Sequence, residues 1–209
     1  MSIPVLYSFR RCPFAIRARM ALACSDIHVE LREVKLSDMP AAMLQKSPKA
    51  TVPVLVLGDG QVIDESLDVM HWSLSQSDPK HWLDIDAATR QLIRRSDRDF
   101  KPLLDRYKYA DRHPELSQLE HRQRAQVFVA ELDCLLAGQP FLSGHCRRLA
   151  DVAIFPFIRQ FAGVDAGWFE HCEYAALRQW LQTMLADDLF QRVMQKHPFW
   201  RPGDAAVYL

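Results

Sequence analysis

The chain has 209 residues, 49% of them hydrophobic and 25% charged, with Lys+Arg and Asp+Glu both numbering 26. This is the balance of a globular chain of one or two domains, and no net field draws it to nucleic acid or an anionic membrane. The longest apolar run, 152–158, is too short to span a bilayer, and "MSIPVLYS" lacks the basic start and apolar core of an export signal.

The first 76 residues alternate between two periodicities. "IPVLYS" is rich in strand formers. From Pro13 the pattern turns helical, with Ile16, Met20 and Ala23 at i, i+4 and i+7 and with Arg17 and Arg19 on other faces. "HVELREV" alternates as a strand, and "MPAAMLQKSP" is a short helix broken by Pro48. "VPVLVLGDGQVID" is a hairpin around Gly58-Asp59-Gly60, a turn that needs positive φ. "ESLDVMHWSLSQ" closes the segment as a helix with Leu67, Met70 and Leu74 on one side. The order βαβαββα predicts a small mixed sheet covered by helices over 1–76.

A polar segment around Pro79, residues 77–86, is the expected linker, and strand signals stop there. Residues 87–209 are expected to form an all-helical domain. Ile93, Phe100, Leu104 and Tyr107 share a register near 87–110, where Pro102 should kink or interrupt the helix. A helix from about Gln118 to Ala137 should turn Val127, Leu132 and Leu135 inward, with Gly138 as its C-cap. "RRLADVAIFPFIRQFA" is the most apolar helix and the expected core of this half. "EYAALRQWLQTMLAD" and "LFQRVMQK" complete the bundle, and the tail "HPFWRPGDAAVYL" reads as irregular.

Five cysteines, Cys12, Cys24, Cys134, Cys146 and Cys172, are scattered without a C-x-x-C. That spacing argues against a disulfide framework and against a zinc site, so no metal is expected, and it fits a reducing cytoplasm. Cys12 differs from the other four by its place. It sits where a strand ends, directly before Pro13, a residue suited to the first position of a helix. An N-cap sulfur would face the open N–H groups of the first turn and the positive end of the helix dipole. With Arg10 and Arg11 beside it, a lowered thiol pKa is expected. Ala15 occupies the position where a resolving cysteine would stand, so such a thiolate can form a mixed disulfide only with an outside thiol.

Two other stretches bear on this one. In "KATVPVL" the Val52-Pro53 bond is trans or cis; a cis bond would leave the N–H and C=O of Val52 open to an extended peptide. "DES" before an apolar helix is either a cap alone or an anion site. In the second case Ser66 would hold a carboxylate at the helix N-terminus, and Glu65 would accept from an ammonium group. A ligand with a thiol, an extended backbone and an α-amino-acid head would satisfy all three stretches, and glutathione is such a molecule.

The motifs "YSFRRCPFAIRARM", "SPKATVPVL" and "IDESLDVM", followed by an all-helical part, resemble the cytosolic glutathione transferases, specifically the omega-like, cysteine-type branch. The resemblance covers essentially the full length and implies a thioredoxin-like N-terminal domain plus an all-α C-terminal bundle. It makes Cys12 the catalytic cysteine, Phe14 the residue beside the glutathione thiol, and Val52 and Pro53 the main-chain partners of the cysteinyl part. Glu65 and Ser66 become holders of the γ-glutamyl group, and Asp151 a residue of folding. Three departures accompany it. Arg148 replaces the usual Ser or Thr of the cap before Asp151. Met39 stands where some relatives keep a lysine near the glycyl carboxylate, a role left to Lys49 or Lys35. Tyr7 lies roughly where tyrosine-type transferases keep their activating hydroxyl, and is read as packing.

The expected activity is glutathione-dependent thiol transfer or reductive deglutathionylation, with dehydroascorbate, protein mixed disulfides and aromatic glutathionyl adducts as substrate classes. The alternatives are glutathione conjugation assisted by Tyr7 or Cys12, and a non-enzymatic binding or regulatory module on the same fold. A co-substrate pocket between the two parts would draw on Phe9, Arg11, Tyr107, Phe157 and Trp200. A homodimer is implied by the resemblance alone.

Overall fold

The computed structural model describes residues 2–209. Its contacts divide it into two compact units, Met1–Leu83 with Asp187–Leu209, and Asp84–Ala186. The first unit ends its leading stretch at Leu83, and the last 23 residues, expected in the bundle, group with it.

The first unit runs β1 (Val5–Ser8), α1 (Pro13–Cys24), β2 (Glu30–Glu33), α2 (Ala41–Lys46), β3 (Val54–Val56), β4 (Val62–Ile63) and α3 (Ser66–Gln76), the predicted βαβαββα order. The sheet order is β2-β1-β3-β4, with β1 parallel to β2 and antiparallel to β3. Leu6, Leu31 and Leu55 project to one face and pack on Ala18 and Leu22 of α1 and Val69 of α3. Tyr7, Val34 and Val54 project to the other, with Ala15, Met43 and Val52. The period-two alternation of the strands thus supplies both layers. The hairpin needs its glycines for different reasons. Gly60 sits at φ 91°, and a Cβ on Gly58 would lie 2.3 Å from the carbonyl oxygen of Ser2.

Helix α1 departs from expectation. Ten of its twelve residues are buried, and the two arginines, on other faces than Ile16, Met20 and Ala23, are among the most enclosed, Arg17 at 2% and Arg19 at 1% exposure. A helix carrying Ala, Ile, Met and Leu on every side is covered on every side, whatever charges lie between them. One side meets α3, and the other meets α10 (Asp188–Val193), which was assigned to the bundle. The tail is irregular but not idle. Residues beyond Trp200 run along β2, with Leu31 N–H donating to Val207 O at 2.7 Å and Leu209 N–H to Val29 O at 3.1 Å, which covers the open sheet edge.

The second unit contains α4 (Ala87–Arg95), α5 (Lys101–Lys108), α6 (Gln118–Leu136), α7 (Leu149–Ala162), α8 (Ala166–His171) and α9 (Ala175–Leu185). Between α4 and α5 a π turn, Ser96–Phe100, absorbs the backbone mismatch just before Pro102, which has no N–H to give the helix. Ile93, Phe100, Leu104 and Tyr107 all face inward as predicted. The register of α6 does not hold: Val127 is 73% and Leu135 40% exposed. The buried stripe is His121, Ala125, Phe128, Val129, Leu132 and Leu136, a cleaner four-and-three-residue spacing. Ala137, not Gly138, caps this helix, and Gly138 has no left-handed backbone.

Helix α7 is the core of this unit, buried from Leu149 through Ile158. Its start hangs on Asp151, which is fully buried and accepts from Arg148 N–H at 3.0 Å, Leu142 N–H at 2.8 Å and Trp180 Nε1–H at 2.9 Å. Arg148 has no acceptor to return the bond a Ser or Thr would make, and Leu142 and Trp180 complete the carboxylate's coordination instead. Burial pushes the Asp151 carboxyl up while these three donors pull it back. Replacing Asp151 by Ala strands three donors, two of them buried and one half-buried. We expect a loss of about 3 kcal/mol, read as an earlier midpoint in urea unfolding followed by tryptophan fluorescence. A loss under about 1 kcal/mol would show that α7 starts without this carboxylate.

Candidate functional site

The sheet delivers Cys12 to the start of α1. Its backbone is extended, φ −71° and ψ 122°, and Pro13 follows at the first helical position. Cys12 N–H donates to Phe9 O at 3.0 Å, closing the turn after β1, and Cys12 O takes the first helical bond from Ile16 N–H at 2.9 Å. Cys12 is therefore the N-cap by backbone, as expected, and half-buried. Its sulfur does not cap the helix by a side-chain hydrogen bond, which differs from the expectation; the thiol is directed at Val52 O, 3.7 Å away. Ala15, where a resolving cysteine would stand, is fully buried in the core.

Val52-Pro53 is cis, which resolves the alternative left open by the sequence. Val52 is buried at 7% and shares a cluster with Tyr7, Ala15 and Val54, against which Cys12, Phe9 and Met39 pack. Cys12 and the cis proline are thus neighbours across the strand ends. Phe14 is half-buried beneath the Arg17 guanidinium, which lies 5.1 Å from its ring centre.

Ser66 is the first residue of α3 and only 4% exposed. Its hydroxyl oxygen accepts from Arg17 Nε at 3.0 Å and from Nη2 at 2.9 Å. With its lone pairs taken by one guanidinium, the hydroxyl is left to donate, the role an anion would require. Glu65, the N-cap of α3, is exposed and makes no cap; it accepts from Lys49 Nζ at 2.8 Å. Lys49 also donates to Asp64 at 3.0 Å, and Asp64 accepts from Ser47 at 2.8 Å. These bonds hold the Lys49 ammonium above and the Asp64 carboxyl below their ordinary values. Lys49, expected as a carboxylate anchor, is thus an ion-pair partner of Glu65. Lys35 is exposed and pairs with Asp38 through the backbone, its carbonyl accepting from Asp38 N–H at 2.9 Å.

Tyr7 is 3% exposed, and its hydroxyl accepts from Arg32 Nη1 at 2.8 Å. Trp200 completes this group, edge-on to Tyr7 at 6.1 Å and 4.3 Å from the Arg32 guanidinium. The side chains named for a co-substrate pocket belong to both units. Phe9 is half-buried beside Cys12, with Arg11 over its ring at 5.7 Å. Tyr107 (1% exposed) and Phe157 (0%) lie inside the helical unit as packing residues, with Tyr107 on Phe161 at 5.3 Å. A cavity of about 510 Å³ lies in the helical unit, lined by Asp86, Thr89, Arg95, Glu131, Leu135 and Gln139 among others, none of them expected site residues. Among the described residues no group of three or more His, Cys, Asp or Glu could hold a metal ion.

The charged residues behind the turn, Arg17, Arg19 and Glu33, were missed. The available signal was the all-round apolar character of α1, which buries whatever it carries, and the odd charge at Glu33 in the inward register of β2.

Residues 6–81 match the family described as glutathione S-transferase, N-terminal domain. Glutathione S-transferase omega-1 of Sus scrofa is 25% identical over 196 residues, covering 92% of this chain and 77% of that protein. Among solved structures, glutathione transferase Omega 3C from Trametes versicolor superposes with a TM-score of 0.78 at 20% identity, covering 92% of this chain and 84% of that one. A glutathione transferase family member from Pseudomonas fluorescens, with two glutathione bound, gives 0.76 at 20% identity and covers 92% of each. The thioredoxin-like domain followed by a helical domain is therefore the glutathione transferase fold.

Since Tyr7 is buried and packed against Trp200, Tyr7→Phe should change the rate of Cys12 alkylation by iodoacetamide less than about twofold. A tenfold fall would place the Tyr7 hydroxyl in service of the sulfur.

Proposed function

We propose that this chain, which carries a glutathione S-transferase N-terminal domain and resembles omega-class transferases, is a cysteine-dependent glutathione thiol transferase. The observation that carries the reading is Cys12, a half-buried thiol at the backbone N-cap of α1 beside the cis Val52-Pro53, with Ala15 where a second thiol would stand. A helix N-terminus favours negative charge by about 0.3–1 kcal/mol at exposed positions and up to about 2 in partly buried ones. The thiolate is the reactive form.

Two displacements follow. The Cys12 thiolate attacks the glutathione sulfur of a mixed disulfide, forming a Cys12–glutathione disulfide and releasing the other sulfur as thiolate. A second glutathione thiolate then attacks that adduct, regenerating the Cys12 thiolate and leaving oxidised glutathione. Without a neighbouring thiol, the adduct waits for an outside one. For glutathione itself, Val52 and Pro53 would pair with the cysteinyl main chain, Phe14 would lie beside the thiol, and Ser66 would donate to the γ-glutamyl carboxylate. Glu65 would take the γ-glutamyl ammonium by giving up Lys49, which is then released toward the glycyl carboxylate. By the same resemblance the protein would act as a homodimer in the cytoplasm. The burial of Tyr7, 3% exposed, disfavours the alternative in which Tyr7 activates glutathione for conjugation.

Cys12→Ala and Cys12→Ser should each abolish reduction of a glutathione mixed disulfide, measured by coupled glutathione reductase, by about 100-fold or more. Retained activity in Cys12→Ala would refute the mechanism. Ser66→Ala should raise the KM for glutathione about tenfold with little change in kcat, as expected for a lost hydrogen bond to a charged group. An unchanged KM would remove Ser66 from the site.

A further inference from the structure

Behind the turn that presents Cys12 lies a buried ion pair that the thiol chemistry described above does not use. Arg19 is 1% and Glu33 5% exposed. Their charged groups lie 3.8 Å apart, Nη1 to Oε2, a distance at which the two charges attract without a hydrogen bond. Each spends its better hydrogen bond on the same residue. Glu33 Oε1 accepts from Arg10 N–H at 2.6 Å, and Arg19 Nη2 donates to Arg10 O at 2.7 Å. Both backbone polar groups of Arg10, two residues before Cys12, are thus held by opposite ends of one ion pair. Arg19 Nη1 also donates to Ser8 Oγ at 3.2 Å, at the end of β1.

We propose that Arg19 and Glu33 are positioning residues for Cys12, clamping the Arg10 backbone and setting, by the difference of their opposed charges, how readily the sulfur ionises. The proposal rests on Cys12 being a reactive thiol; it does not need glutathione to be the partner. The pair shapes the turn from Phe9 to Cys12 through the clamp. It also acts through the field. Arg19 and an ionised Cys12 attract one another, and Glu33, paired with Arg19, supplies the opposite charge beside it. Burial pushes the Arg19 guanidinium down to about 10, so it remains charged at neutral pH. Burial raises the Glu33 carboxyl against the pull of the Arg10 N–H and of Arg19. The other groups facing the pair are the Arg10 side chain, which repels Arg19, and two from the C-terminal segment. Met194 Sδ lies 3.8 Å from Arg19 Nη2, and His197 is pushed down by burial and by Arg19, so it brings no second cation at neutral pH.

A structural prop and an electrostatic setting differ in sign, which makes them separable. Glu33→Gln keeps an oxygen for the Arg10 N–H and removes the charge that opposes Arg19. Arg19→Met removes the cation. The readout is the pH dependence of Cys12 alkylation by iodoacetamide in the whole protein, located by peptide mass spectrometry, with circular dichroism to show that the fold is kept. At pH 6.5 we expect Glu33→Gln to react about threefold faster than the parent and Arg19→Met about tenfold slower, with profiles displaced in opposite directions. Arg19→Lys should recover part of the loss, since it restores charge but not the forked donor. If Arg19→Met leaves Glu33 uncompensated and the chain does not fold, the double variant Arg19→Met, Glu33→Gln removes both charges and is expected to fold with a slow Cys12. Slowing in both single variants, or a double variant with the parent profile, overturns the proposal. So does a parent Cys12 that is alkylated no faster than the exposed Cys134 and Cys146. Opposed shifts in a protein that takes up no glutathione would sustain this inference while refuting glutathione thiol transfer.

Discussion

A guanidinium group taken out of water must find acceptors and counter-charge inside the protein, and helix α1 takes two of them out. Arg17 reaches to Ser66 on α3, and Arg19 reaches back to Ser8, the Arg10 carbonyl and Glu33, with its Nε left without an acceptor. These partners lie at the ends of β1 and β2, in the turn after β1 and at the start of α3. The need to satisfy two buried cations therefore fixes the relative placement of β1, β2, α1 and α3 at the end of the sheet where Cys12 emerges.

That placement has chemical consequences. The same bonds that satisfy Arg17 leave the Ser66 hydroxyl with only a proton to offer, which turns the start of α3 into a donor for an anion. The partners of Arg19 hold the turn whose last residue is the nucleophile. Apolar side chains alone could pack this unit, but they would not orient a hydroxyl or a backbone turn, and a missing partner would leave a buried charge costing several kcal/mol. The two features most easily read as solvated surface arginines are those on which the site's geometry rests.

How far this was legible depends on which physical quantity sets each feature. Strand and helix order in the first unit follows from alternation and turn residues, which are local, and Gly58-Asp59-Gly60 marks the hairpin correctly. Cys12 before Pro13 is likewise a local signal, and so is Asp151 at the start of the most apolar helix. What the sequence hides is non-local. Arg17 reaches α3, and Arg19 reaches Met194 at the end of α10, a helix about 170 residues further on that packs on α1. The tail beyond Trp200 carries no strand pattern, because it pairs with β2 through backbone groups that any sequence supplies. In α6, Val127 and Leu135 were set inward for being apolar, whereas Phe128 and Leu136, one position along, take the core. Tyr107 and Phe157 are packed inside the helical unit for the reason that aromatic residues fill bundles: they bury the largest area.

The central claim is that Cys12 is a nucleophile that carries glutathione through a mixed disulfide. Mass spectrometry of the intact protein after exposure to oxidised glutathione, then to excess reduced glutathione, tests it most directly. The account predicts one glutathione per chain, located on Cys12 in the peptide digest and lost on addition of the reduced thiol. An unmodified Cys12, or an adduct confined to the exposed Cys134 and Cys146, would contradict it.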